Sequence, residues 1–350
     1  SEDARRTRLE GAASRHLTRA ARVRHGDRGG VCPDGVCHDV VMGFQTVTDS
    51  GVRLDGTRRT GPWRAPAQML AEQAYDGHTS VHDDDTAAKL GLVGAPIEGP
   101  THFSQIDPLA VDVWGSRWFE TGCVSAHFQT MVIEGEDVQA TLDAVPGGSA
   151  RIDAVKRDGT PVLTGTASIG PEDRTELDER RRRGLGDPGE LHIVDRVEVG
   201  MVSEVSEPVA MGFDDDNGDL YPFTLADKLA RITEPCSWYL PGGDSPWGSP
   251  IVPTEMVSVL AHRSSAHFPV RGPAVGLFID LEVRYVDGPV LVDRPYLVTH
   301  RCVGLGQSRR VESYWTESTL VDAASGARTA TVLLHQGVFK ASYADYPSEG

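Results

Sequence analysis

Cysteine is scarce. The 350 residues include five, Cys32, Cys37, Cys123, Cys236 and Cys302, an odd, widely spaced set that excludes a disulfide-built fold and suits a reducing, cytoplasmic setting. Cys32 and Cys37 share the segment CPDGVCH with His38, but no second Cys/His pair completes a tetrahedral zinc site. A turn with two ordinary thiols, or a local disulfide, is expected there, and no metal. Long apolar runs are missing too, and nothing approaches the roughly 20 residues that cross a bilayer, so a soluble protein without a membrane segment is expected. Basic surplus is the third absence. Net charge is −17, and because residues 1–30 hold eight Arg against four acidic residues, the remainder stands at −21. Such a body repels nucleic acid and anionic lipid. The Arg-rich start lacks the apolar centre of a secretory signal and carries Glu2, Asp3, Glu10 and Asp27, so 1–38 reads as a solvated extension.

What is present is a repeat. GAPIEGPTHFSQI at 94–106 matches GSPIVPTEMVSVL at 248–260, and GCVSAHFQTMVIEG from Gly122 matches GLFIDLEVRYVDG from Gly276, both about 154 positions apart. VMGF at 41–44 and AMGF at 210–213 are 169 apart, so the first half carries 15 extra residues ahead of its proline turn. After each Pro-Thr the pattern predicts a helix, marked by Phe103, Ile106, Leu109, Ala110 and Val113 in the first copy and by PTEMVSVLAHRSSAHF in the second. Four short alternating segments bounded by Gly, Pro and Asp follow each helix and predict strands. GPEDRTELDERRRRGLGDPGE, with Arg180 to Arg183 and no apolar period, predicts a charged linker. The expected organisation is an extension at 1–38, one domain at 39–170, a linker at 171–190 and a second domain at 191–350.

The extra length of the first half falls where histidine and acid concentrate, in DGHTSVHDDDTAAKLGLVGAPIEGPT at 76–101. A helix followed by antiparallel strands, twice in tandem, resembles the double-hotdog members of the MaoC-like, or enoyl-CoA hydratase 2, group. The motif rests on His82, Asp84 two residues later, the Ala87 to Gly91 spacing, and the PIEG turn ending at Gly99. It departs at Gly77, where an acid five residues before His82 would stand, with Asp76 nearest, and at Thr79-Ser80 in place of Asn-Pro. The resemblance implies an α+β fold, a tandem hotdog in which each half is a curved antiparallel sheet wrapped around a central helix. It also implies a hydratase or dehydratase of a 2-enoyl or 3-hydroxyacyl thioester. His82 and Asp76 would be its catalytic pair, and Gly99, Thr101, Glu98, His78 and His102 its oxyanion or substrate-binding neighbours. CoA or phosphopantetheine would enter only as part of the substrate, without a separate cofactor.

Other readings stand beside this one. His82 with three aspartates also fits an exposed helix cap, with Asp84 or Asp85 capping TAAKLG. Cys123 at a strand start fits packing. The second half lacks a His-plus-Asp segment before its turn, so one active site per chain is expected, with the second half as built-in partner in a monomeric pseudo-dimer or in a homodimer. Trp238, Tyr239 and Trp247 suit an acyl tunnel or ordinary burial equally. An acyltransferase or thioesterase of a natural-product or lipid pathway, and a non-catalytic thioester- or small-molecule-binding protein, are the alternatives in function.

Overall fold

Eight of the strands form where alternating segments are bounded by turn residues, and they assemble into one antiparallel sheet. The computed structural model describes residues 51–74, 80–145, 149–171, 174–184, 186–263 and 268–347. In chain order the strands are β1 (Arg53–Asp55), β2 (Arg58–Thr60), β3 (Gly122–Phe128), β4 (Val138–Asp143), β5 (Ala150–Lys156), β6 (Pro161–Ile169), β7 (Gly276–Tyr285), β8 (Tyr296–Gln307), β9 (Val311–Asp322) and β10 (Arg328–Phe339). Their order in the sheet is β1-β2-β4-β5-β6-β3-β7-β10-β9-β8. Read outward from the central β3–β7 pair, β6, β5, β4 mirrors β10, β9, β8, so the duplicated sequence folds into two copies related by a pseudo-twofold at that pair. The centre is antiparallel, with Val124 opposite Val283 and Ala126 opposite Leu281.

The helices are α1 (Asp84–Lys89), α2 (Asp107–Trp114), α3 (Arg117–Thr121), α4 (Glu176–Gly184), α5 (Leu225–Arg231) and α6 (Thr254–Arg263). From Thr254 to His262 every residue of α6 is buried, as an enclosed helix requires, and it packs on β7, β9 and β10. In the first half the expected helix is split into a 3-10 segment, Gly99–Gln105, followed by α2. Pro108 has no N–H to donate to the carbonyl four residues back, which interrupts the ladder at that point. The helix entries repeat in detail. Ile97 N–H donates to Val132 O at 2.7 Å, and Val252 N–H donates to Val290 O at 2.8 Å. The architecture is a double hotdog of the α+β class. The 3-10 segment and α6 pack against each other, which joins the cores of the two halves into one apolar cluster.

The charged linker is in part a helix. α4 buries Leu177 against Trp315 and Leu333, and Arg180 Nε donates to Asp280 Oδ1 at 2.9 Å. Asp280 is fully buried and also accepts from His127 Nδ1 (2.8 Å) and His335 Nδ1 (2.6 Å). Burial opposes its ionisation, yet these partners hold it below the ordinary carboxylate range. The residues looked like a solvated run because one leucine and one arginine suffice to dock so short a helix. Among the described residues no helix is long and apolar enough to cross a membrane, and no group of three or more His, Cys, Asp or Glu is arranged to hold a metal ion.

Candidate active cleft

A cleft of about 890 Å³ lies between the halves. His82, Glu98, Gly99, His102 and Phe128 line it from the first half, and Asn217, His262 and Thr316 from the second. His82 therefore turns toward the cleft, while the aspartates after it serve the adjacent helix. Asp83, one residue earlier than the sequence suggests, is the N-cap of α1 and accepts from Thr86 N–H at 2.8 Å; Asp84 accepts from Ala95 N–H. Asp76 and His78 lie outside the described residues, as do Cys32 and Cys37.

The imidazole of His82 is held in one sense. Its Nδ1 lies 2.6 Å from Pro96 O, and a carbonyl can only accept, so Nδ1 carries the hydrogen and Nε2 the lone pair in the neutral ring. Ser80 Oγ accepts the His82 backbone N–H at 3.0 Å and donates to Gln73 Oε1 at 2.8 Å. Burial pulls the pKa of His82 below its ordinary value, opposed by the Pro96 carbonyl and Glu98. At neutral pH the ring is a base.

Glu98 belongs to an ion cluster, centred on Lys228, that crosses the halves. Lys228 Nζ, on α5, donates to Glu98 Oε1 and, at 3.1 Å, to Thr101 Oγ1, while Thr101 Oγ1 donates to Glu98 Oε1 at 3.2 Å. The same ammonium is 3.1 Å from Glu255 Oε2 on α6. Burial disfavours the Lys228 charge, but Glu255 and Glu98 outweigh it and raise the ammonium above its ordinary range. Burial pushes the Glu255 carboxyl up to about 7, against the pull of Lys228. Thr101 belongs to this network and does not line the cleft. His102 does line it; burial first, and Lys228 second, lower its pKa to about 4, and its Nδ1 is buried without a hydrogen-bond partner.

Gly99 begins the 3-10 segment, so its N–H has no intrahelical acceptor. A Cβ there would sit 2.7 Å from Phe128 Cζ, so a side chain at this position would have to displace the ring of Phe128. Asp107, in α2, accepts from Trp118 Nε1 (2.8 Å), Thr254 Oγ1 (2.7 Å) and Tyr239 Oη (3.3 Å), and burial raises it to about 7. Trp238, Tyr239 and Trp247 do not line the cleft. They surround Phe119 edge-to-face with ring centroids 6.1–6.4 Å away and pack in or against the apolar core, in keeping with the ordinary-burial reading of the two. Cys123 is a buried thiol pushed well up by burial, a packing residue.

Lys228 and Glu255 had signals in the sequence. Lys228 falls on the apolar stripe of LADKLAR with Leu225 and Leu229, and Glu255 stands beside Met256, Val257, Val259 and Leu260 in a buried helix; a charge on a buried face needs a partner. Residue spacing does not say which partner.

No family model and no curated protein matches the chain. Solved structures are similar in chain path. A double-hotdog protein of Mycobacterium tuberculosis is 11% identical with TM-score 0.48, over 79% of this chain and 94% of that one. A protein of Chloroflexus aurantiacus named as a MaoC-domain dehydratase is 13% identical with TM-score 0.44, over 73% and 85%. The dehydratase domain of a mycocerosic acid synthase-like polyketide synthase is 12% identical with TM-score 0.42, over 89% and 100%.

Proposed function

We propose that the protein adds water to, or removes it from, an acyl thioester in this cleft. One observation carries the reading: His82, with its hydrogen fixed on Nδ1 by Pro96 O, shares the cleft with Gly99 at the helix start. In the hydration direction His82 Nε2 takes a proton from water as the water oxygen bonds to the β-carbon. The C=C electrons move toward the thioester oxygen, where the Gly99 N–H stabilises the developing enolate. A proton then passes to the α-carbon, so that water has added with no other reactant. Asp76 is the carboxylate partner that the motif suggests, and Glu98 is the carboxylate that lines the cleft beside His82. Thr101 supports Glu98, and His102, neutral at pH 7, contributes a hydrogen-bonding edge to the wall.

Incubation with crotonyl-CoA and acetyl-CoA, with mass spectrometry of the products, tests the reading. Gain of one water on crotonyl-CoA is expected. Free CoA from either substrate would make the protein an acyl-transfer or hydrolytic enzyme, and unchanged substrates would leave it a binding protein.

A further inference from the structure

The second-half wall of the cleft carries three polar side chains, Asn217, His262 and Thr316, beside apolar ones such as Phe268, Leu277 and Phe278. His262, on α6, is only 8% exposed. Its Nδ1 donates to Ser258 O at 2.7 Å, so in the neutral ring Nε2 can only accept, and it is buried without a partner. Burial lowers its pKa to about 4, which keeps it neutral. Thr316 on β9 is 2% exposed with its Oγ1 also unpartnered. Alternation along β9 puts Thr316 on the same face as Ser318. Ser318 Oγ pairs with His300 Nδ1 at 2.8 Å, and the His300 ring stacks against His262 at 6.2 Å. Asn217 supplies the third orphan. Its Nδ2 donates to Phe223 O at 2.8 Å, which fixes the flip and leaves Oδ1 buried without a partner. Arg263, next to His262, donates to Ala210 O and Asp216 O, tying the 210–217 segment to the end of α6. Leaving a buried polar atom unpaired is costly, and three of them on one wall mark a place where a bound group completes the bonding.

We propose that His262, Thr316 and Asn217 form a polar subsite that binds a neutral hydrogen-bond donor of the ligand, a hydroxyl or an amide N–H. Two of the three atoms can only accept, which selects a donor, and none is charged, which disfavours an ion. The inference rests on the reading of the cleft as the ligand site and not on water addition. The donor could come from a hydroxylated acyl chain or from the amides of a pantetheine arm.

Isothermal titration of the parent with two ligand pairs tests it. One pair is a saturated acyl N-acetylcysteamine thioester with a terminal hydroxyl and its deoxy counterpart. The other is S-butyryl pantetheine and an S-butyryl alkanethiol of equal length lacking both amides. The donor-bearing member of at least one pair should bind about tenfold tighter, the effect of one retained hydrogen bond near 1.4 kcal/mol. That preference should fall below about threefold in His262→Phe and in the isosteric Thr316→Val. The pair that responds identifies the source of the donor. Equal affinities within both pairs, or a preference unchanged in a folded Thr316→Val, would overturn the subsite. Water addition to crotonyl-CoA is scored separately, so its absence counts against the hydratase reading alone.

Discussion

At the scale of single residues, the proposed reaction would separate bonding from chemistry on one imidazole. His82 Nδ1 is committed to Pro96 O, which also accepts from Gln68 Nε2 at 2.6 Å, and Nε2 is the nitrogen to which the proposed proton transfer is assigned. His82→Asn keeps a donor near the Nδ1 position and removes the base. Its melting temperature should stay within a few degrees of the parent while hydration falls by about 10²–10⁴-fold, the usual contribution of a general base. Hydration rates on crotonyl-CoA beside thermal melts check this, and an active His82→Asn would exclude the ring from the reaction. Gly99 makes a different test because Phe128 occupies the space of its missing Cβ. Gly99→Ala should be destabilised by the clash, and Gly99→Ala with Phe128→Ala should be more stable than the two single losses predict. A coupling of about 0.5–3 kcal/mol is expected for residues in such contact. Urea melts of the four proteins measure it, and strict additivity would mean the ring yields freely.

At the scale of elements, α5 is held to the rest of the fold by a lysine on its buried face. Lys228→Met leaves Glu98 facing Glu255 across a dry interface, and breaking a buried ion cluster from one side costs about 3–5 kcal/mol. Adding Glu98→Gln and Glu255→Gln should return much of that stability. A loss below about 1 kcal/mol for Lys228→Met in urea denaturation would show that the cluster is already open to water. The eight repeat strands were legible because each is a short alternation closed by Gly, Pro or Asp, and strand pairing follows from the duplication. The split of the first central helix was written in Pro108, although the apolar period ran through it. α4 and α5 were not legible: one is nearly all charge, and the other is seven residues long. Of the candidate site, His82, Glu98 and Gly99 lie in the motif, and His102 stands three residues beyond its turn. Lys228 meets Glu98 across 130 positions, and His262 and Thr316 meet through a helix lying over a sheet. No local period encodes such meetings, and only the fold brings them together.

At the scale of the whole molecule, joining two hotdog units buries ionisable groups of opposite kinds, and their effects on stability oppose each other. His102 and His262 have folded pKa values near 4, below their ordinary 6.5. Between these values the unfolded chain binds more protons, so this pair makes stability fall as pH drops from about 6.5 to about 4. Asp107 and Glu255 have folded values near 7, above their ordinary 3.8 and 4.5. Here the folded chain binds more protons, and stability falls as pH rises through the same window to about 7. Each group acts at up to about 1.4 kcal/mol per pH unit, so the two pairs largely cancel. His82 and Asp280, both lowered, leave a small net loss toward acid. The parent should therefore melt at nearly the same temperature at pH 7 and pH 5. Glu255→Gln removes one raised carboxyl and should lose stability on acidification more steeply than the parent. His262→Phe removes one lowered imidazole and should lose less, or gain. Calorimetry of the three proteins at pH 5, 6 and 7 reads the slopes directly. Parallel slopes would mean that water reaches these groups in the folded state and that the interface between the halves is wet.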